Sequence, residues 1–115
     1  MKHNESKLQI ECVKWFRLQY PFLTLFAIPN GGRRGIIEAT IMKKEGVLAG
    51  VPDLFLAKPI DHLHGLFIEM KFGKGKQSEA QYQIMKALAV EGYDYAVISD
   101  FDSFKNKVNE YLKVE

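Results

Sequence analysis

The chain has 115 residues, enough for one domain (1–115) with a real core. Hydrophobic residues at 47% and charged residues at 26% match an ordinary soluble globular protein and argue against a disordered or fibrous one. A net charge of +2 is far below that of many nucleic-acid binders, so any basic surface must be local.

Cys12 is the single cysteine, which rules out an internal disulfide and fits a reducing cytoplasm. No apolar run approaches the ~20 residues needed to cross a membrane. The opening stretch MKHNESKLQIE is too polar for a secretory signal, so a cytoplasmic location is expected.

In chain order, residues 5–19 read as a helix stopped ahead of Pro21. Residues 22–28 form a β-rich run that ends at the loop signal Pro29-Asn30-Gly31-Gly32. Residues 35–45 read as a short helix with Gly46 as its C-terminal cap. Residues 53–58 and 66–72 read as strands joined by a turn over 59–64. After a Gly73-Lys-Gly-Lys loop come a helix over 78–91, a strand over 93–99 and a final helix over 102–113. The order α-β-α-β-β-α-β-α implies an α/β fold, a mixed sheet with helices on its faces.

The two central strands carry charges where a buried face is expected. Side chains alternate along a strand, so Asp53, Phe55 and Ala57 share one face, and Phe67, Glu69 and Lys71 share one face of the next. A hairpin centred near Asp61 would set Asp53 opposite Glu69, with Cβ atoms roughly 5 Å apart. Two carboxylates that close must share a proton or hold a cation between them. Hard oxygen ligands favour Mg²⁺ or Mn²⁺, and Mg²⁺ commonly takes one or two carboxylates with substrate phosphate oxygens. Such an ion can acidify a water and offset charge on a phosphate, and a neighbouring lysine can orient that water or stabilise the transition state. The bland alternative is that Asp53 caps a turn while Glu69 and Lys71 form a solvated edge.

Three further features bear on the choice. Glu11 sits between Leu8, Trp15 and Leu18 on the helical wheel, either aimed at the active face or paired with Lys7 or Lys14. Ser78 and Gln81 match a capping box, and Gln81 could also face the site one turn into the helix. Arg33, Arg34, Lys74 and Lys76 lie in loops that phosphates could approach, although such residues are commonly just solvated surface. His62 and His64 have no companion placed to complete a zinc site, and neither a Walker loop nor a G-x-S-x-G elbow is present.

Together these residues resemble the PD-(D/E)xK nuclease superfamily, and most closely its VRR-NUC (virus-type replication-repair nuclease) branch. The ordered segments are IPNGGRRG, MKKEGVLAGVPDL, IEMK and SEAQ, with Glu11 upstream, and the likeness spans about residues 8 to 100. It implies a restriction-endonuclease-like core, with the helix over 35–45 as an insertion, and DNA hydrolysis with Mg²⁺ or Mn²⁺. By motif position it implies Asp53, Glu69 and the Met70 carbonyl as metal ligands and Lys71 as the catalytic lysine. Glu11 would support the metal directly or through water, and Gln81 would orient water or lysine. Small standalone phage and bacterial members resemble dimeric nucleases acting on Holliday junctions, so a homodimer on branched DNA in a bacterial or phage-infected cell is implied. The outer apolar side of the first helix, Ile10 and Val13, offers a dimer surface, unless that helix is buried on both sides. The alternatives are a noncatalytic DNA-binding or assembly subunit that kept the fold, and a restriction-type or nicking nuclease.

Overall fold

A computed structural model describes residues 3–29 and 35–114. Their elements follow the expected order: α1 (His3–Gln19), β1 (Leu25–Ala27), α2 (Ile36–Lys44), β2 (Leu54–Leu56), β3 (Leu66–Met70), α3 (Glu79–Val90), β4 (Asp94–Ile98) and α4 (Phe101–Tyr111). The sheet runs β1-β2-β3-β4. Its first three strands are antiparallel, and β4 returns parallel to β3 after the α3 crossover. The fold is therefore α/β with a mixed sheet.

Alternation in the strands divides the side chains between two faces. Leu54, Leu56, Leu66, Ile68, Met70 and Ile98 point to one face and are buried there with Cys12 and Phe16 of α1 and Phe104, Val108 and Tyr111 of α4. Burying each such side chain contributes about 1.5–3 kcal/mol, so this layer is the main source of stability. Trp15 meets Phe101 and Phe104 edge-on and ties the two helices together. The opposite face carries Phe55, Phe67 and Tyr93, whose rings pack in sequence, with Phe55 and Phe67 centred 4.4 Å apart. Helix α3 packs against β4, with Gln81, Ile84, Met85 and Leu88 half-buried.

Two expectations change. The strand expected over 22–28 is cut to three residues, because Leu23 closes a turn on the Tyr20 carbonyl and leaves Phe22 97% exposed. The apolar stripe of α1 runs through Leu8, Cys12 and Phe16 with Val13 and Trp15 beside it, while Leu18 is 76% exposed. Helix α2 follows the expected bounds, and Gly46 caps it with φ +108°.

Candidate active site

The β2–β3 hairpin fixes the two acids. Leu54 pairs with Ile68, Phe55 with Phe67 and Leu56 with Leu66. The same register centres the turn on Asp61, which adopts φ 55°, and Asp53, one residue before the paired stretch, donates its N–H to the Ile68 carbonyl at 3.0 Å, next to Glu69. The Asp53 carboxylate accepts the Met70 N–H at 2.7 Å. Burial pushes the Asp53 carboxyl above its usual range; the Met70 N–H pulls it down, and the Glu69 and then Glu5 charges push it up again.

Glu69 is fully buried. Its Oε1 accepts the Tyr95 hydroxyl at 2.6 Å and the Gln77 amide at 3.3 Å. Its Oε2 has no hydrogen-bond partner. Lys71 Nζ stands 3.7 Å from that oxygen, within ion-pair range but too far to satisfy it as a hydrogen bond. A buried anionic oxygen left open costs free energy unless something positive sits beside it. Next to a second carboxylate, that oxygen suits a hard divalent cation. Among the described residues no cluster of three His, Cys, Asp or Glu side chains could hold a metal ion; Asp53 and Glu69 together could offer the one or two carboxylates that Mg²⁺ commonly takes while keeping its waters.

Lys71 is held from the other side. Its Nζ donates to Gln81 Oε1 at 2.9 Å, and the same oxygen accepts the Ser78 N–H at 2.8 Å. Ser78 Oγ in turn accepts the Gln81 N–H, completing the expected capping box at the start of α3. One side chain thus starts the helix and anchors the lysine. Gly50 seats that turn: a Cβ there would lie 2.7 Å from the Ala80 carbonyl carbon and oxygen and 3.0 Å from the Gln81 nitrogen. Its φ of +93° is also one that side-chain-bearing residues rarely adopt.

The other expected residues divide. Met70 buries its side chain in the core on the face opposite Glu69, leaving only its backbone near the site. Lys74 and Lys76 are exposed in the loop between Lys71 and Gln77. Arg33 and Arg34 lie outside the described residues. Glu11 is exposed and acts on Cys12, where its charge and that of Asp100 add to the effect of burial. The α1 acid whose charge reaches Asp53 is Glu5, two turns earlier, on the line that leads to Leu8, Cys12 and Phe16. Tyr95 and Gln77 are the residues sequence reading missed. Tyr95 was legible only as a polar hydroxyl on an otherwise apolar strand face.

The VRR-NUC domain family matches residues 2–100. The chain belongs to that family. A solved VRR_NUC domain protein superposes with a TM-score of 0.80 at 27% identity, covering 99% of this chain and 92% of that one. A comparison with proteins of curated function finds no match. The fold is thus of the nuclease type, a type for which DNA is the substrate class and which generally depends on divalent metals. Among the described residues no helix is long and apolar enough to cross a membrane.

Proposed function

We propose that this chain is a Mg²⁺- or Mn²⁺-dependent endonuclease that hydrolyses phosphodiester bonds in DNA, with a preference for branched substrates such as Holliday junctions. The observation that carries the reading is the open Glu69 Oε2, buried beside Asp53 and 3.7 Å from a lysine that Gln81 holds in place. Asp53 and Glu69 would hold the cation, with the Met70 carbonyl as a third oxygen. When bound, the cation lowers the barrier to deprotonating water and offsets charge building on the phosphate.

The chain's own groups do the rest. Lys71, 14% exposed, places one cationic N–H donor at the edge of the carboxylate pair, where it can orient the attacking water or stabilise the developing oxyanion. Gln81 limits the lysine's rotation, so little ordering remains to be done when DNA arrives. Glu5 takes the supporting part that motif position gave to Glu11, acting through water or through its charge. Lys74 and Lys76, with Arg33 and Arg34, would contact backbone phosphates and set register without reading bases.

The dimer part of the proposal commits to a second copy of this chain. A groove of about 610 Å³ runs between α1 and the edge strand β1, lined by Ile10, Val13, Lys14, Arg17, Leu18 and Phe26 among others. Ile10 is 65% exposed, whereas Val13 already packs partly on the core, so Ile10, Leu18 and Phe26 supply the apolar surface. A two-fold copy would cover this face and the β1 edge of the sheet, and would supply two sites for paired cuts.

The deciding test is a cleavage panel of single-stranded, duplex, flap and four-way DNA with Mg²⁺, Mn²⁺ or EDTA, alongside light scattering at micromolar concentration. Metal-dependent cuts favouring the four-way substrate, from a dimer, are expected. DNA binding without cleavage under any metal would favour a noncatalytic subunit. A monomer making random single nicks would remove the paired-incision part.

A further inference from the structure

Glu69 has two oxygens in unlike surroundings. Oε1 is engaged by the Tyr95 hydroxyl at 2.6 Å and the Gln77 amide at 3.3 Å, while Oε2 is buried with no hydrogen-bond partner and only Lys71 Nζ at ion-pair distance, 3.7 Å. The donors come from different parts of the chain. Tyr95 stands on β4, next to Phe67 in the parallel ladder, and reaches diagonally to Glu69. Gln77 ends the loop before α3 and is steadied by a contact from its amide to Met85 Sδ at 3.5 Å. A carboxylate on a terminal sp³–sp² bond rotates broadly unless its oxygens are fixed. Here one oxygen is fixed, and the other is left facing Lys71 and the Asp53 side of the sheet.

We propose that Tyr95, assisted by Gln77, is a positioning residue that presents Glu69 to the divalent cation through Oε2 alone. This rests on the reading that Asp53 and Glu69 hold the cation. Tyr95 does not touch the ion. It removes the choice of oxygen and the rotation that would otherwise have to be frozen as the ion binds. Partners of this kind, one shell out from a metal, typically change affinity by roughly 10–100-fold.

The test is Mn²⁺ affinity measured by calorimetry on DNA-free protein, with melting in EDTA as the fold check. The variants are Tyr95→Phe, Gln77→Ala, Asp53→Asn and Tyr111→Phe. Tyr111 donates its hydroxyl to the Lys58 carbonyl at 2.7 Å, so its phenylalanine variant loses a comparable bond that does not involve Glu69. Tyr95→Phe should weaken Mn²⁺ binding by roughly 10-fold or more, and Gln77→Ala by less, because its bond is longer. Tyr111→Phe should alter only the melt. Cleavage by Tyr95→Phe should recover towards the wild-type rate at saturating Mn²⁺, which a general loosening of the fold would not allow. Wild-type Mn²⁺ affinity in a folded Tyr95→Phe protein would overturn the proposal and leave the metal site standing. Failure of wild type to bind Mn²⁺, or equal binding by Asp53→Asn, would overturn the metal reading and this inference with it.

Discussion

Replacing Gly50 with alanine should damage both the fold and the site, and the size of the effect can be worked from two contributions. At φ +93° a side-chain-bearing residue carries about 1–2 kcal/mol of backbone strain. The added Cβ would also lie 2.7 Å from the Ala80 backbone, which cannot swing aside as a side-chain tip could. Overpacking of that sort costs about 1–3 kcal/mol. The sum is about 2–5 kcal/mol; at about 4 °C per kcal/mol for a domain of this size, the melting temperature should fall by about 8–20 °C. Gly46 provides the internal control. Its φ is +108°, yet nothing lies within 4 Å of its absent Cβ, so Gly46→Ala should show the strain contribution alone. That is about 1–2 kcal/mol, or about 4–8 °C. Thermal melts of both variants in EDTA make the comparison. Cleavage by Gly50→Ala at a temperature where it remains folded should fall further, because a misplacement of about 1 Å can cost about 100-fold. A Gly50→Ala protein that melts together with Gly46→Ala would refute the seating of α3 on Gly50.

Asp53→Asn, Glu69→Gln and Lys71→Ala should each abolish cleavage in a folded protein; near-wild-type cutting by any one would remove its assigned role. Mn²⁺ should raise the wild-type melting temperature by binding the native state, and the rise should vanish in Asp53→Asn; an equal rise would place the metal elsewhere. Burial pushes the Cys12 thiol from 9.0 up to about 12, with Glu11 and then Asp100 adding to it. The unfolded chain therefore loses this proton first: the stability it contributes is whole below pH 9.0 and is lost as pH rises towards about 12. In Cys12→Ala, unfolding titrations across that window should show a shallower alkaline loss than wild type, and an unchanged slope would count against it. Lys74→Ala and Lys76→Ala should weaken DNA binding without sequence preference and flatten its salt dependence by about one phosphate contact each; unchanged salt slopes would remove both from the interface.

The hairpin was legible because its evidence is local. Alternation fixes the faces, and a turn on Asp61 fixes which residues meet, so Asp53 and Glu69 follow from counting. The capping box at Ser78 and Gln81 is likewise a four-residue pattern. Helix α1 resisted because apolar residues occur nearly all round it. Leu18 and Ile10 are as hydrophobic as the residues that are buried, and the sheet together with α4 decides which stripe turns inward. Of the expected arc, Leu8 and Trp15 pack on the core, Leu18 does not, and Glu11 lies exposed. Tyr95 was out of reach for a related reason. Its partner lies 26 positions away across a parallel ladder, and no turn connects them whose residues could be read for register.

Gln81 Oε1 accepts from Ser78 N and from Lys71 Nζ at once. The lysine is thus only as still as the first turn of α3, and helix ends open far more readily than cores. No residue of α3 is fully buried, so its first turn can open while the core layer between the sheet, α1 and α4 stays packed. Heat should therefore disarm the protein before it melts it. Loss of activity on warming would set in below the unfolding transition and reverse on cooling, and amide exchange in the opening turn of α3 would report it sooner than any probe of the sheet.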